Sequence, residues 1–260
     1  MEISLTSRQR PARPRSTNKL LSQSNVGLDP NKAIKLFFSD PEWRVKAGIG
    51  GIFSGGAVLL FCLGPMFIPV AFCFWGLLTG YYLRLVRAKI ADMQAPLPPW
   101  NDWLDLLISG ITWLAVAFGQ TLVPISIATT TLLCATAGGQ NFITGNQYTV
   151  WAAGSVALVT FSWIMVSLVS TIIMANFAKQ ERMAAAFDLV TVGKKLASSA
   201  HIFLQAWLLM IGIQWLGFII PTVSIIGIAL IPICGFVASC IAAILLAQAW
   251  KSAEQPIALP

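Results

Sequence analysis

Asp102 and Asp105 come closest, in this chain of 260 residues, to a pair that could do acid–base chemistry. Two-carboxylate catalysis needs both groups in one pocket, in environments that push their proton affinities apart. Their setting, Pro96-Leu97-Pro98-Pro99-Trp100-Asn101-Asp102-Trp103-Leu104-Asp105, offers a simpler role. The prolines impose an extended approach. Asp102 can cap a helix, and Asp105 three residues later can reach back, as in a capping box. Other reactive residues are sparse. His201 is the single histidine and stands near the start of an apolar run, so it reads as an interface residue. Cys62, Cys73, Cys134, Cys234 and Cys240 all fall in apolar runs. Cys234 and Cys240 do not share a helix face, and with no CxxC or Cys/His grouping all five read as buried hydrophobes. The chain contains no HExxH, GxSxG, P-loop or GxGxxG pattern. No catalytic residue, metal ligand or cofactor is assigned, and the expectation is a protein that is not an enzyme.

The elements that carry these residues follow from the composition. Apolar residues make up 57% and charged residues 10% of the chain, with a mean hydropathy of +0.75. A soluble domain carries about 25% charge. This chain has too little charged surface to coat a globule, so its second solvent is lipid. Three stretches, 47–83, 106–178 and 196–250, carry no charge. A helix rises about 1.5 Å per residue and the hydrocarbon core is roughly 30 Å thick, so each stretch must fold back on itself. Turn signals stand where the fold-backs belong: Gly64-Pro65 to Pro69, Gly138-Gly139-Gln140-Asn141, and Pro221 to Ser224 with Gly227. The predicted fold is an all-α integral membrane protein. About six transmembrane helices form three hairpins, each preceded by a cytoplasmic interfacial helix. The legs of the first hairpin, about 18 residues each, also suit a re-entrant pair.

Every charged cluster falls on one side of this scheme, which the positive-inside rule makes cytoplasmic, with both termini there. Residues 1–28 are basic, contain Pro11 and Pro14, and read as a disordered tail; an orientation signal with a solvated linker is the commoner role, and weak attraction to anionic lipid head groups or an acidic partner is the other. Residues 29–250 form one membrane domain, and 251–260 a short cytoplasmic tail. The net charge of +7 belongs mostly to the first tail and the positive-inside bias, so nucleic-acid binding does not follow from it.

The polar stretches before the hairpins carry helix-start chemistry. Asp29-Pro30 and Asp40-Pro41 each place a carboxylate before a proline. Ile34, Phe37 and Phe38 alternate with Lys32 and Lys35, as on an interfacial helix, and Trp43 marks the entrance to the first span. Trp100 and Trp103 would anchor a second interfacial helix that bends into the third span. Lys179 to Ala200 reads as a third.

Asp40-Pro41-Glu42-Trp43, Gly80-Tyr81-Tyr82-Leu83-Arg84, Pro96-Leu97-Pro98-x-Trp100-x-Asp102-Trp103 with Asp105 and Gly110, and Ala184-Ala185-Ala186-Phe187 carry a resemblance. Together they resemble an uncharacterised prokaryotic multi-pass membrane protein family, a domain of unknown function whose usual motif reads Leu-Pro-x-Trp-x-Asp-Trp. The resemblance covers roughly residues 38–250. Pro99 and Asn101 depart from it, standing where members often carry acids, so the motif is less anionic here. It implies fold and a prokaryotic inner or internal membrane, and no activity.

Within the spans only neutral polar groups occur, among them Gln120, Thr129-Thr130-Thr131, Ser162, Ser167, Ser170, Thr171, Asn176, Gln205 and Gln214. Ion-coupled carriers usually place a charge within the bilayer. Gln120, Thr130 and Gln214 could line a path for a neutral solute; bonding across packed helices is the commoner use of such groups. Gly51-x-x-x-Gly55 and Gly235-x-x-x-Ser239 permit close helix approach, to an internal or an external partner. The leading expectation is an accessory, assembly or scaffold subunit. Its partners would be other integral membrane subunits, such as those of an energy-transducing or photosynthetic complex where the host has one. The alternative is a transporter or channel for a neutral or lipid-like solute.

Overall fold

The structure is a computed structural model that describes residues 28–138, 145–223 and 225–254. The proposed tail 1–28 lies outside them apart from Leu28, as do the Gly139–Asn141 turn and residues 255–260. Every regular element among the described residues is helical. The helices are α1 (Pro30–Phe38), α2 (Trp43–Leu63), α3 (Ile68–Ala91), α4 (Trp103–Gly138), α5 (Gly145–Gln180), the short α6 (Met183–Ala186), α7 (Leu189–Thr222) and α8 (Ile225–Glu254), with a 3₁₀ turn at Pro65–Phe67. Six of them are long and apolar enough to cross a membrane. Only helices or closed barrels can do so, because lipid offers the backbone no hydrogen bonds. α4 and α5 each run for 36 residues, about 54 Å, well beyond the thickness of the hydrocarbon core.

Local chemistry explains the breaks. Asp29 caps α1 by accepting from the Lys32 amide at 3.1 Å, with Pro30 in the first turn. α2 ends at Gly64, where φ is +118°, a backbone angle that costs glycine nothing. Asp188 caps α7 through the Thr191 amide at 3.0 Å. α7 then kinks at Ser199, whose φ of −141° and ψ of 28° leave the helix. The stretch from Lys179 to Ala200 is thus no single helix: it holds the end of α5, all of α6 and the start of α7.

α8 is the central element. It packs along α7, α2 and α3, and from Cys240 to Trp250 every residue is buried. α2 meets α8 through Gly50, Gly51 and Gly55. A Cβ on Gly50 would collide with the Phe236 ring, one on Gly51 would strike Ile233, and one on Gly55 would lie 3.3 Å from Pro232. Gly51-x-x-x-Gly55 therefore serves internal packing. Gly235 has open space around it.

α3 and α4 make the closest crossing. A Cβ on Gly80 would overlap the Leu106 carbonyl, and one on Gly110 would overlap the Gly76 carbonyl and approach the Gly80 nitrogen to 2.7 Å. These obstacles are backbone atoms that cannot rotate aside. Gly110→Ala is therefore expected to cost about 1–3 kcal/mol, the range for overpacking, seen as a lowered thermal midpoint in detergent. Gly119→Ala, with nothing within 4 Å, should leave that midpoint within error or raise it.

Candidate functional site

The charged end of the bundle is organised by a strap, residues 92–102, that joins α3 to α4. Between Pro96 and Pro99 only Leu97 retains an N–H. That N–H donates to Asp40 Oδ2 at 2.8 Å, and the Leu97 carbonyl accepts from Lys46 Nζ at 2.8 Å. Lys46 and Asp40 are themselves paired at 3.0 Å, with side chains 9% and 2% exposed. Asp40 Oδ1 also accepts from the Glu42 amide at 2.8 Å. The Leu97 side chain and Pro98 are buried beneath the strap, while Pro41, Pro96 and Pro99 face outward. Lys89, 1% exposed, donates to the strap carbonyls of Ala95 at 2.5 Å and Met93 at 3.3 Å.

Aromatic rings continue this clamp. Trp100 donates Nε1–H to the Lys46 carbonyl at 3.2 Å and stacks on Tyr81 with ring centroids 4.2 Å apart. Trp103 lies 5.6 Å beyond Trp100, and Phe236 of α8 closes the cluster. Trp43 instead packs on Phe38 of α1, 4.8 Å away.

Asp102 opens α4 through its carbonyl, which accepts from the Leu106 amide at 3.1 Å, while both carboxylates turn to an arginine. Arg84 of α3 donates to Asp105 Oδ2 at 2.8 Å and to Asn101 Oδ1 at 2.7 Å, with Asp102 at 3.8 Å. Asp102 has a φ of +52°, a left-handed turn that Asp tolerates and that swings the chain into α4. Both carboxylates are exposed and share the one guanidinium. Arg87 ties the neighbouring helix end, donating to the Ala178 carbonyl at 3.0 Å and pairing with Glu181 at 2.7 Å.

Away from the charged end, α4, α5 and α7 separate around a cleft. Its inner chamber, about 310 Å³, is bounded by Trp113, Gln120, Ser167, Thr171, Trp207 and Gln214. A second chamber of about 630 Å³ shares Trp163, Ser167, Trp207, Ile211 and Gln214 with the first and is walled further out by Trp215 and Phe218. Trp163, Trp215 and Phe218 are each more than half exposed, so the outer chamber opens sideways between α5 and α7. At about 1.5 Å per residue, these groups lie roughly 12–35 Å along their helices from Asp105, Lys179 and Lys195, the charged residues nearest them in sequence. Trp207 donates to Ser167 Oγ at 3.0 Å. Gln120 Oε1 is buried and has no hydrogen-bond partner among the described residues.

Gln120 and Gln214 thus meet in one space, and Thr130 does not join them; it is exposed further along α4. Many span hydroxyls, the cleft-lining Thr121 and Thr171 among them, bond within their own helix rather than across helices. Thr112, Thr121, Ser126, Thr129, Ser162 and Thr171 each donate to a carbonyl three or four residues earlier in their own helix.

The fold and site define a multi-pass, all-helical membrane protein with a tightly closed charged end and an intramembrane cleft. The chain belongs to a family described as protein of unknown function (DUF4013), whose pattern matches residues 62–233. The match contains the strap, Arg84 and the cleft, while Asp40 and Lys46 lie before it. No curated protein and no solved structure matches the chain.

Burial opposes ionisation of Asp40. The Lys46 ammonium and the Glu42 and Leu97 amides outweigh it and hold the carboxyl below its ordinary 3.8. The stabilisation is therefore complete above the unfolded value and fades as pH falls through the lower folded value. Asp40→Asn, which leaves the buried Lys46 only the exposed Glu42 carboxylate at 3.5 Å, is expected to lose about 3 kcal/mol near neutral pH, the low end of the range for breaking a buried pair. In thermal unfolding across pH, the gap between wild type and Asp40→Asn should narrow below about pH 4, as the native carboxyl protonates.

Proposed function

We propose that this is a non-enzymatic membrane protein that carries or holds a neutral, lipid-like solute in the cleft between α4, α5 and α7. It belongs in an inner or internal prokaryotic membrane. The charged end is cytoplasmic, since Lys and Arg concentrate there. The membrane helices then pair as three hairpins. α1 and the starts of α4 and α7 meet the interface.

The observation that carries this reading is the unpartnered Gln120 Oε1 in a cleft with a lateral opening. A buried acceptor left without a donor costs roughly 1–3 kcal/mol, and a bound hydroxyl or amide would offset that. Tryptophan walls suit an aliphatic or ring-bearing body. The surrounding side chains are neutral, so the solute is neutral too. The competing reading, an accessory subunit of a larger membrane complex, loses one of its supports because Gly51 and Gly55 are used internally. It keeps the open notch at Gly235.

Gln120→Leu separates fold from function. Removing the orphaned acceptor should leave thermal stability unchanged or higher, while neutral lipid that co-purifies with the protein, measured by mass spectrometry of extracts, falls severalfold. Gln214→Leu should act in the same direction. Equal retention of neutral lipid by wild type and both variants would refute the reading.

A further inference from the structure

A second space lies on the opposite side of α7 from the cleft. It is a groove of about 440 Å³ between α1, the start of α2, α7 and α8, walled by Phe38, Trp43, Ile213, Gly217, Ile233 and Val237. That volume is in the roughly 300–1,000 Å³ range of ligand pockets. The α7 and α8 residues belong to helices that cross the membrane by length and composition, so the groove faces hydrocarbon and water has no partners in it.

The mouth of the groove is positively charged. Trp43 forms its floor at the charged end, and the Arg44 guanidinium lies 5.5 Å over the Trp43 ring. Arg44, Lys32 and Lys35 are exposed. Among the described residues none of the three makes an ion pair. Of the acids of this stretch, Glu42 is turned to Lys46 at 3.5 Å, Asp40 is bound to the same lysine, and the exposed Asp29 caps α1 at the Lys32 amide; Lys32, Lys35 and Arg44 keep the stretch positive. An apolar slot that ends beneath unpaired cations at interface depth matches a molecule with an aliphatic tail and an anionic head.

We propose that this groove binds one acyl chain of an anionic phospholipid, with the lipid phosphate held by Arg44 beside the cation-bearing face of α1. The chain lies along α7 and α8 and ends at Trp43, which sits at head-group depth and stacks under the guanidinium. The site is independent of the cleft: Ile213, Leu216 and Gly217 turn to the groove, whereas Trp207, Ile211 and Gln214 turn to the cleft.

The test uses the full chain in a neutral detergent, with phosphatidylglycerol or phosphatidylcholine added and adducts counted by native mass spectrometry. Phosphatidylglycerol should be retained preferentially and should raise the thermal midpoint. Arg44→Gln should weaken its retention about fivefold, the effect of one cation near an anionic lipid, and Arg44→Lys should restore most of it. Ile213→Trp, which fills the groove, should remove the adduct while leaving the midpoint in lipid-free detergent unchanged. Gln120→Leu should not affect it. Equal retention of phosphatidylcholine would overturn the proposal. So would a phosphatidylglycerol adduct that survives both Arg44→Gln and Ile213→Trp, or a dimer that Ile213→Trp dissolves, since a second copy would then be the occupant.

Discussion

The organisation of the charged end depends on one buried ion pair and the peptide group it holds. Asp40 and Lys46 are neutral as a pair but costly to desolvate. Their bonds to Leu97 use the one backbone donor left between Pro96 and Pro99 and the carbonyl of the same residue. Because the strap is fixed there, Trp100 reaches the Tyr81 ring and the Lys46 carbonyl. Arg84 then meets Asn101 and Asp105 where α4 starts. That start sets the register in which Gly110 slides past Gly76 and Gly80. A shift of one residue in α4 would rotate a side chain into backbone at the crossing and would carry Gln120 off the cleft.

The molecule therefore has two regimes. At the charged end, buried and half-buried cations are shared among several carboxylates and carbonyls, and α8 is buried on every side from Cys240 to Trp250. Further along, α4, α5 and α7 share less surface, and their hydroxyls turn back to their own helices. Such back-bonding satisfies polar groups without committing helices to one another. It leaves room for the cleft, whose indole and amide groups are held on rigid helices tied at their charged ends by Arg87, Glu181 and Asn176.

The six long apolar helices and the family were readable from the residues. So was the cap at Asp29, because it involves neighbours three residues apart. The clamp was not. Lys46 and Lys89 look, in a sequence, like ordinary cations at the positive side of a membrane, and nothing in their local pattern announces that they are buried. Asp102 and Asp105 have the spacing of a capping box, and Arg84, 21 residues before Asp105, takes them instead. Gln120 and Gln214 were distinguishable as candidates because amides are rare in these spans. Thr130 carried the same polarity and fell on the other side, since its helix phase relative to α5 and α7 is a tertiary property.

What the sequence determined by itself was the solvent and the secondary structure. With 10% charge, and with backbone groups that must find partners within their own segment in lipid, the uncharged stretches have little choice but to form membrane-length helices. What only the tertiary structure decided was pairing: which glycines serve internal contacts, which lysines are buried, and which polar groups share a cavity. Those outcomes rest on contacts such as Lys46 to Leu97, 51 residues apart, and Trp207 to Ser167, 40 apart. In lipid an apolar surface gains little by choosing one apolar neighbour over another, so shape and a few polar bonds make the choice, and both exist only once the helices are packed.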